Sequence, residues 1–172
     1  MVRGDNGMAH IAIEYVIMVP VLILQIFLFP LTTNWIMSMW TDNRRTLALQ
    51  DAASHLGSAI QQLYFTLNEG EILAGTVTLK SPVPPLIDGF PYVGNVAQRT
   101  ALDSNSNETS IIILELTLTL QTLGTTVHAS VILGQNVDWQ NSTFVSNSLN
   151  AGIKAEKIGS GTDALIKISF TS

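Results

Sequence analysis

The stretch from Tyr15 to Thr41 contains no aspartate, glutamate, lysine or arginine, and most of its side chains are aliphatic or aromatic. A helix needs about 20 residues to cross a hydrocarbon core, so a run of this length can span a membrane. A cleavable secretory signal has an apolar region of only about 7–15 residues ending at a small-residue site. No such site follows this run before Trp35, Trp40 and Arg44-Arg45. The two tryptophans suit either a membrane boundary, where amphipathic rings settle, or a packed aromatic core. Pro20 and Pro30 each remove a backbone donor, and helix bends are expected at both.

Beyond Arg45 the pattern becomes amphipathic. Leu49, Ala52, Leu56, Ala59, Ile60, Leu63 and Leu67 recur at three- and four-residue steps, while Gln50, Asp51, Gln61 and Gln62 fall off that stripe. One helix from Met8 to Leu67 would reach roughly 90 Å at 1.5 Å per residue. Asn68-Glu69-Gly70 ends it, with Gly70 as the expected left-handed cap. From there the period falls to two. Leu73, Gly75, Val77 and Leu79 alternate with Thr76, Thr78 and Lys80. In SIIILELTLTLQ the inward residues are Ile112, Leu114, Leu116, Leu118 and Leu120, and a turn at Leu123-Gly124 leads into TTVHASVIL, a hairpin. Ala164, Ile166, Ile168 and Phe170 form a last inward face after the Gly159-Ser160-Gly161 turn. SPVPPLIDGFPYVGN reads as an ordered loop or edge crossing, and DSNSNET as a polar loop. The expected class is α+β: a long N-terminal apolar α-helix, then an antiparallel β-sandwich of six or seven short strands, for which an immunoglobulin-like topology is one candidate.

The charged fraction, 12%, is about half the roughly 25% usual for soluble domains. The net charge of −5 gives no support to nucleic-acid binding, which requires a clustered basic face. There is no cysteine, hence no disulfide framework or thiolate metal site. His10, His55 and His128 lie on three separate segments and do not assemble into one metal site. No nucleophile elbow, phosphate-cradling loop or zinc-protease helix occurs. Asp138, Glu156 and Asp163 are candidates for a hydrolytic carboxylate pair only by elimination. No enzymatic activity, cofactor or metal is expected. Two sequons, Asn107-Glu108-Thr109 and Asn141-Ser142-Thr143, stand in polar contexts that would admit a glycan. Their modification would put the β region outside the cytoplasm. Charge flanking does not fix the orientation, because Arg3 is opposed by Asp5 while Arg44 and Arg45 favour the reverse.

Glu14 sits at the start of the apolar run, where an ionised carboxylate costs a few kcal/mol without a partner. Cutting the chain before His10 would make Glu14 the fifth residue and create an α-ammonium that, on a neighbouring copy, neutralises it. The polar leader VRGDNG, small residues before an apolar helix, and Glu14-Tyr15 followed by Pro20 resemble the N-terminus of type IV pilins. HIAIEY is similar to the Gln-x-Ser-x-Glu-Tyr opening of archaeal pilins with class III signal peptides, with His10 for Gln and Ala12 for Ser. The Glu14-to-Pro20 spacing is also similar to tight-adherence pseudopilins. Ala9 stands where glycine is usual before the cut, and Gly7 offers a competing cut before Met8.

The resemblance implies a leader (1–9), an N-terminal helix (10–69) serving first as membrane span and then as filament core, and an extracellular β-sandwich (70–172). It implies a prepilin peptidase, an assembly ATPase and a membrane platform as partners. It also implies a cell-surface homopolymer joined through the N-terminal helices, with a role in surface adhesion. The alternative is a membrane-anchored ectodomain or minor pseudopilin that does not polymerise. Intact mass of the cell-surface protein is expected to give a chain beginning at His10, or at Met8 by the competing cut. An unprocessed Met1 would favour the lone anchor.

Overall fold

The computed structural model describes residues 6–69, 72, 74–102, 108–159 and 164–172, with backbone alone at 6–14, 102 and 108–110. Helix α1 runs Asn6–Asn68 and includes Pro20 and Pro30 without a break in its helical assignment. Eight strands follow: β1 Gly75–Lys80, β2 Tyr92–Leu102, β3 Glu108–Leu120, β4 Thr126–Leu133, β5 Val137–Trp139, β6 Thr143–Val145, β7 Gly152–Ile158 and β8 Leu165–Thr171. They form two four-stranded sheets, β1-β7-β8-β5 and β4-β3-β2-β6. The α+β class with a sandwich holds, but the sheets are not wholly antiparallel: β5 pairs with β8 in parallel. The order also departs from the immunoglobulin arrangement, whose first strand pairs with its second; here β1 pairs with β7.

The chain divides into two compact units, Met1–Asn43 and Arg44–Ser172. In the second, the amphipathic part of α1 forms one wall of the sandwich. Leu49, Ala52, Leu56, Ala59, Ile60, Leu63 and Leu67 are buried on one face, as their spacing predicts, and Ala53 joins them. That face joins the inward residues of both sheets in one core. The β3–β4 hairpin has the expected inward set, with Leu114, Leu116, Leu118 and Leu120 fully buried opposite Val127 and Val131. Phe144 of β6 meets Phe170 of β8 at 5.3 Å between ring centroids, tying the sheets together.

The helix also covers the outer edge of β4. Gln50 Nε2 donates to the His128 carbonyl (3.5 Å), Gln61 Nε2 to the Ile132 carbonyl (3.4 Å) and the Tyr64 hydroxyl to the Gln135 carbonyl (3.4 Å). These are acceptors that an edge strand otherwise offers to another chain. At the end of α1 the buried Lys157 donates Nζ to the Glu69 carbonyl (3.1 Å), setting a cation at the negative pole of the helix. Gly70, the expected cap, lies outside the described residues.

The proline-rich crossing contains a two-residue turn. Asp88 (φ 48°) and Gly89 (φ 84°) both take the left-handed conformation, and Ile87 and Phe90 exchange backbone hydrogen bonds across them. The Asp88 carboxylate faces Arg44 (3.1 Å) and Arg45 (3.3 Å), and the Arg45 guanidinium lies 5.2 Å above the Phe90 ring. The last residues of this stretch, from Tyr92, belong to β2 and not to a loop. β2 lacks an apolar alternation because two inward positions are not apolar side chains. A Cβ on Gly94 would come within 2.6 Å of Leu118 Cδ2. Gln98 bridges the sheets, donating to the Val137 carbonyl (3.3 Å) and accepting from the Trp139 N–H (2.7 Å).

Tyr92 anchors the crossing. Its hydroxyl donates to the Pro84 carbonyl (2.7 Å), while Ser146 Oγ donates to the Pro85 carbonyl (2.8 Å) and accepts from the Tyr92 N–H (2.9 Å). Burial pushes the Tyr92 phenol well above its ordinary value. Tyr92→Phe strands a carbonyl and is expected to cost about 1–3 kcal/mol of unfolding free energy, measured by denaturant titration. The folded phenol keeps its proton where the unfolded chain, near pH 10, releases it. That part of the stability is therefore intact below about pH 10 and lost as pH rises above it. The phenylalanine variant is expected to lack this alkaline loss, and an unchanged profile would assign it to other groups.

Candidate assembly surface

In the unit Met1–Asn43, α1 presents apolar side chains on every side. Each large apolar residue from Tyr15 to Trp40 is exposed, from 47% at Met39 to 77% at Trp40. Trp35 (64%) and Trp40 therefore pack into no core of this chain. The helix is long and apolar enough to cross a membrane by length and composition. Its hydroxyls are turned back onto its own backbone. Thr32 Oγ1 donates to the Leu28 and Phe29 carbonyls, Thr33 Oγ1 to Phe29, Ser38 Oγ to Trp35 and Thr41 Oγ1 to Met37, at 2.8–3.1 Å. Internal satisfaction of this kind suits surroundings without water.

Two amides break the rule. Among the described residues, Gln25 and Asn34 make no hydrogen bond. Both were legible in the sequence as polar positions inside the run, yet the search for charge passed over them. Gln25 lines an open hollow of about 630 Å³ with Leu22, Ile26, Leu28, Phe29, Pro30 and Thr32. Pro30 has no N–H, so the Ile26 carbonyl lacks its helical donor; Pro20 does the same to Val16.

Glu14, Ala9, His10 and the competing pair Gly7 and Met8 all fall within the backbone of α1. Their side chains lie outside the described residues, as does the whole of Met1–Asp5. The remaining singled-out residues are dispersed. His55 approaches Asp51 (3.6 Å) one turn earlier on the helix, and His128 Nδ1 meets Thr117 Oγ1 (3.0 Å) on the exposed sheet face. Asp138 accepts from Gln140 Nε2 (2.6 Å) and Glu156 pairs with Lys154 (3.3 Å); Asp163 lies outside the described residues. Asn141 is exposed between β5 and β6, next to Ser142, whose hydroxyl donates to the Gln140 carbonyl (2.9 Å). Asn107 lies outside the described residues.

No family model, no curated protein and no solved structure matches this chain.

The contrast between the two units is itself testable. Every residue of the buried core lies at or beyond Leu49. Removing residues 1–43 is expected to yield a soluble monomer that unfolds in one cooperative transition, read by sedimentation and circular dichroism. A fragment that aggregates or unfolds without cooperativity would show that the sandwich needs the apolar segment.

Proposed function

We propose that this chain is a structural subunit of an archaeal type IV pilus-like filament that serves in surface adhesion. The carrying observation is the apolar, uncharged surface of α1 from Tyr15 to Trp40, exposed on all sides and continuous in sequence with a unit that has a core of its own. The precursor rests in the membrane through this helix. After a prepilin peptidase removes the leader, an ATP-driven machine on a membrane platform transfers the subunit into a helical polymer. The apolar helices exchange lipid for identical helices, and the sandwiches form the sheath outside the cell, where the sequons at Asn107 and Asn141 would meet a glycosylation machinery. The contact is heterologous and does not close, which is the geometry of a fibre.

A second reading, the non-polymerising membrane anchor or minor pseudopilin, is equally compatible with the self-satisfied hydroxyls of Thr32, Thr33, Ser38 and Thr41, which serve lipid as well as they serve a bundle. Glu14 discriminates between the two. In the filament its carboxylate pairs with the new α-ammonium of the adjoining copy; in a lone anchor it has no such task. Glu14→Gln is expected to leave the protein in the membrane at wild-type level while cutting filament yield to near zero, counted by electron microscopy of sheared surface material. Wild-type filament numbers from this variant would refute the pairing.

A further inference from the structure

Gln25 is a polar amide in the middle of the apolar run, fully available and unpaired among the described residues. One residue later, Ile26 carries a carbonyl that Pro30 deprives of its donor. Both line the same hollow of about 630 Å³, together with Pro30. A donor without an acceptor and an acceptor without a donor thus share one level of the helix. Each would be costly in an apolar medium, where no water replaces the missing partner. The Gln25 side chain projects from the helix while the Ile26 carbonyl points along the axis toward Pro30, so the amide of one copy can reach the carbonyl of another.

We infer that Gln25 locks adjacent subunits together: its Nε2 donates to the Ile26 carbonyl of the neighbouring copy, within the hollow left beside Pro30. The proposal rests on the filament reading and names the contact that sets axial register within it. Thr32 lines the hollow too, but its hydroxyl is already committed to Leu28 and Phe29. Asn34 and the ring donors of Tyr15, Trp35 and Trp40 are not part of that lining. Donor and acceptor are different groups, so a bond from each copy to the next is heterologous and can propagate without closing.

The test is a double-mutant cycle on full-length chains. Gln25→Met keeps side-chain length and removes the donor; Pro30→Ala returns an N–H to the Ile26 carbonyl, so the acceptor no longer needs one. Gln25→Met alone is expected to speed filament dissociation in detergent about tenfold, the effect of one interhelical hydrogen bond at the upper end of its range. In the Pro30→Ala background the same substitution should change the rate by about twofold or less. An equal effect in both backgrounds, or none in the wild-type background, overturns the proposal while leaving the filament reading intact. If Gln25→Met yields no filaments at all, Pro30→Ala alone must also cut filament yield, because it withdraws the acceptor of the same bond, and wild-type yield from it overturns the proposal. A wild-type chain that is processed yet never polymerises overturns both readings.

Discussion

The first part of α1 has no state compatible with water. Burying a Val, Leu, Ile, Phe or Met side chain is worth about 1.5–3 kcal/mol. The fully exposed run from Tyr15 to Trp40 therefore withholds on the order of tens of kcal/mol until a partner covers it. One carboxylate near its start costs only a few kcal/mol against that total. The apolar term therefore dominates where the segment goes, and on the filament reading Glu14 sets what it pairs with once there. Lipid tails or, on the filament reading, the same helix of other copies would cover such a surface evenly, because neither requires one favoured face.

Past Arg44 the same helix obeys the opposite rule. It gives one stripe to the core and turns Gln50 and Gln61 toward the backbone of β4. The sandwich is correspondingly guarded against edge-to-edge association. β4 is covered by the helix, and β5 and β6 have three residues each. β1 is six residues long and ends at Lys80. With its strand edges short or covered, the sandwich offers little for polymerisation through β-pairing, and on the filament reading association falls to the apolar helix.

Much of this was legible from periodicity. The 3.6-residue stripe at Leu49–Leu67 and the alternation in β3, β4 and β8 each follow from one face being buried and the other wet, so both halves of the fold class could be read directly. β2 escaped because its inward face carries Gly94, which admits the side chains of Leu118 and Phe144, and Gln98, whose amide is satisfied by the opposite sheet. β5 and β6 are too short to show a period, and the parallel β5–β8 pairing leaves no local signature because its strands lie far apart in sequence. Arg44 and Arg45 read as membrane-flanking charges; the fold occupies them with Asp88, which only the Asp88-Gly89 turn brings within reach. For the assembly surface, apolarity and Glu14 stood out, whereas Gln25 gains meaning only beside the carbonyl that Pro30 leaves open.

The balance among these polar groups bears on how, under the proposed function, one helix would serve two surroundings in turn. In lipid, Thr32, Thr33, Ser38 and Thr41 incur no penalty because their hydroxyls are bonded within the helix. Gln25, Asn34 and the carbonyls facing Pro20 and Pro30 do incur one, and each unsatisfied group costs several kcal/mol in hydrocarbon. That sum is well below the apolar gain, so insertion of the helix into lipid would stay favourable. It is nevertheless a penalty that lipid tails cannot relieve and a neighbouring helix can. Apolar burial alone is nearly indifferent between lipid and bundle, since tails are as apolar as leucine. On the filament reading, the few unpaired polar groups supply the difference: they leave the membrane state tolerable and make the polymer the better one.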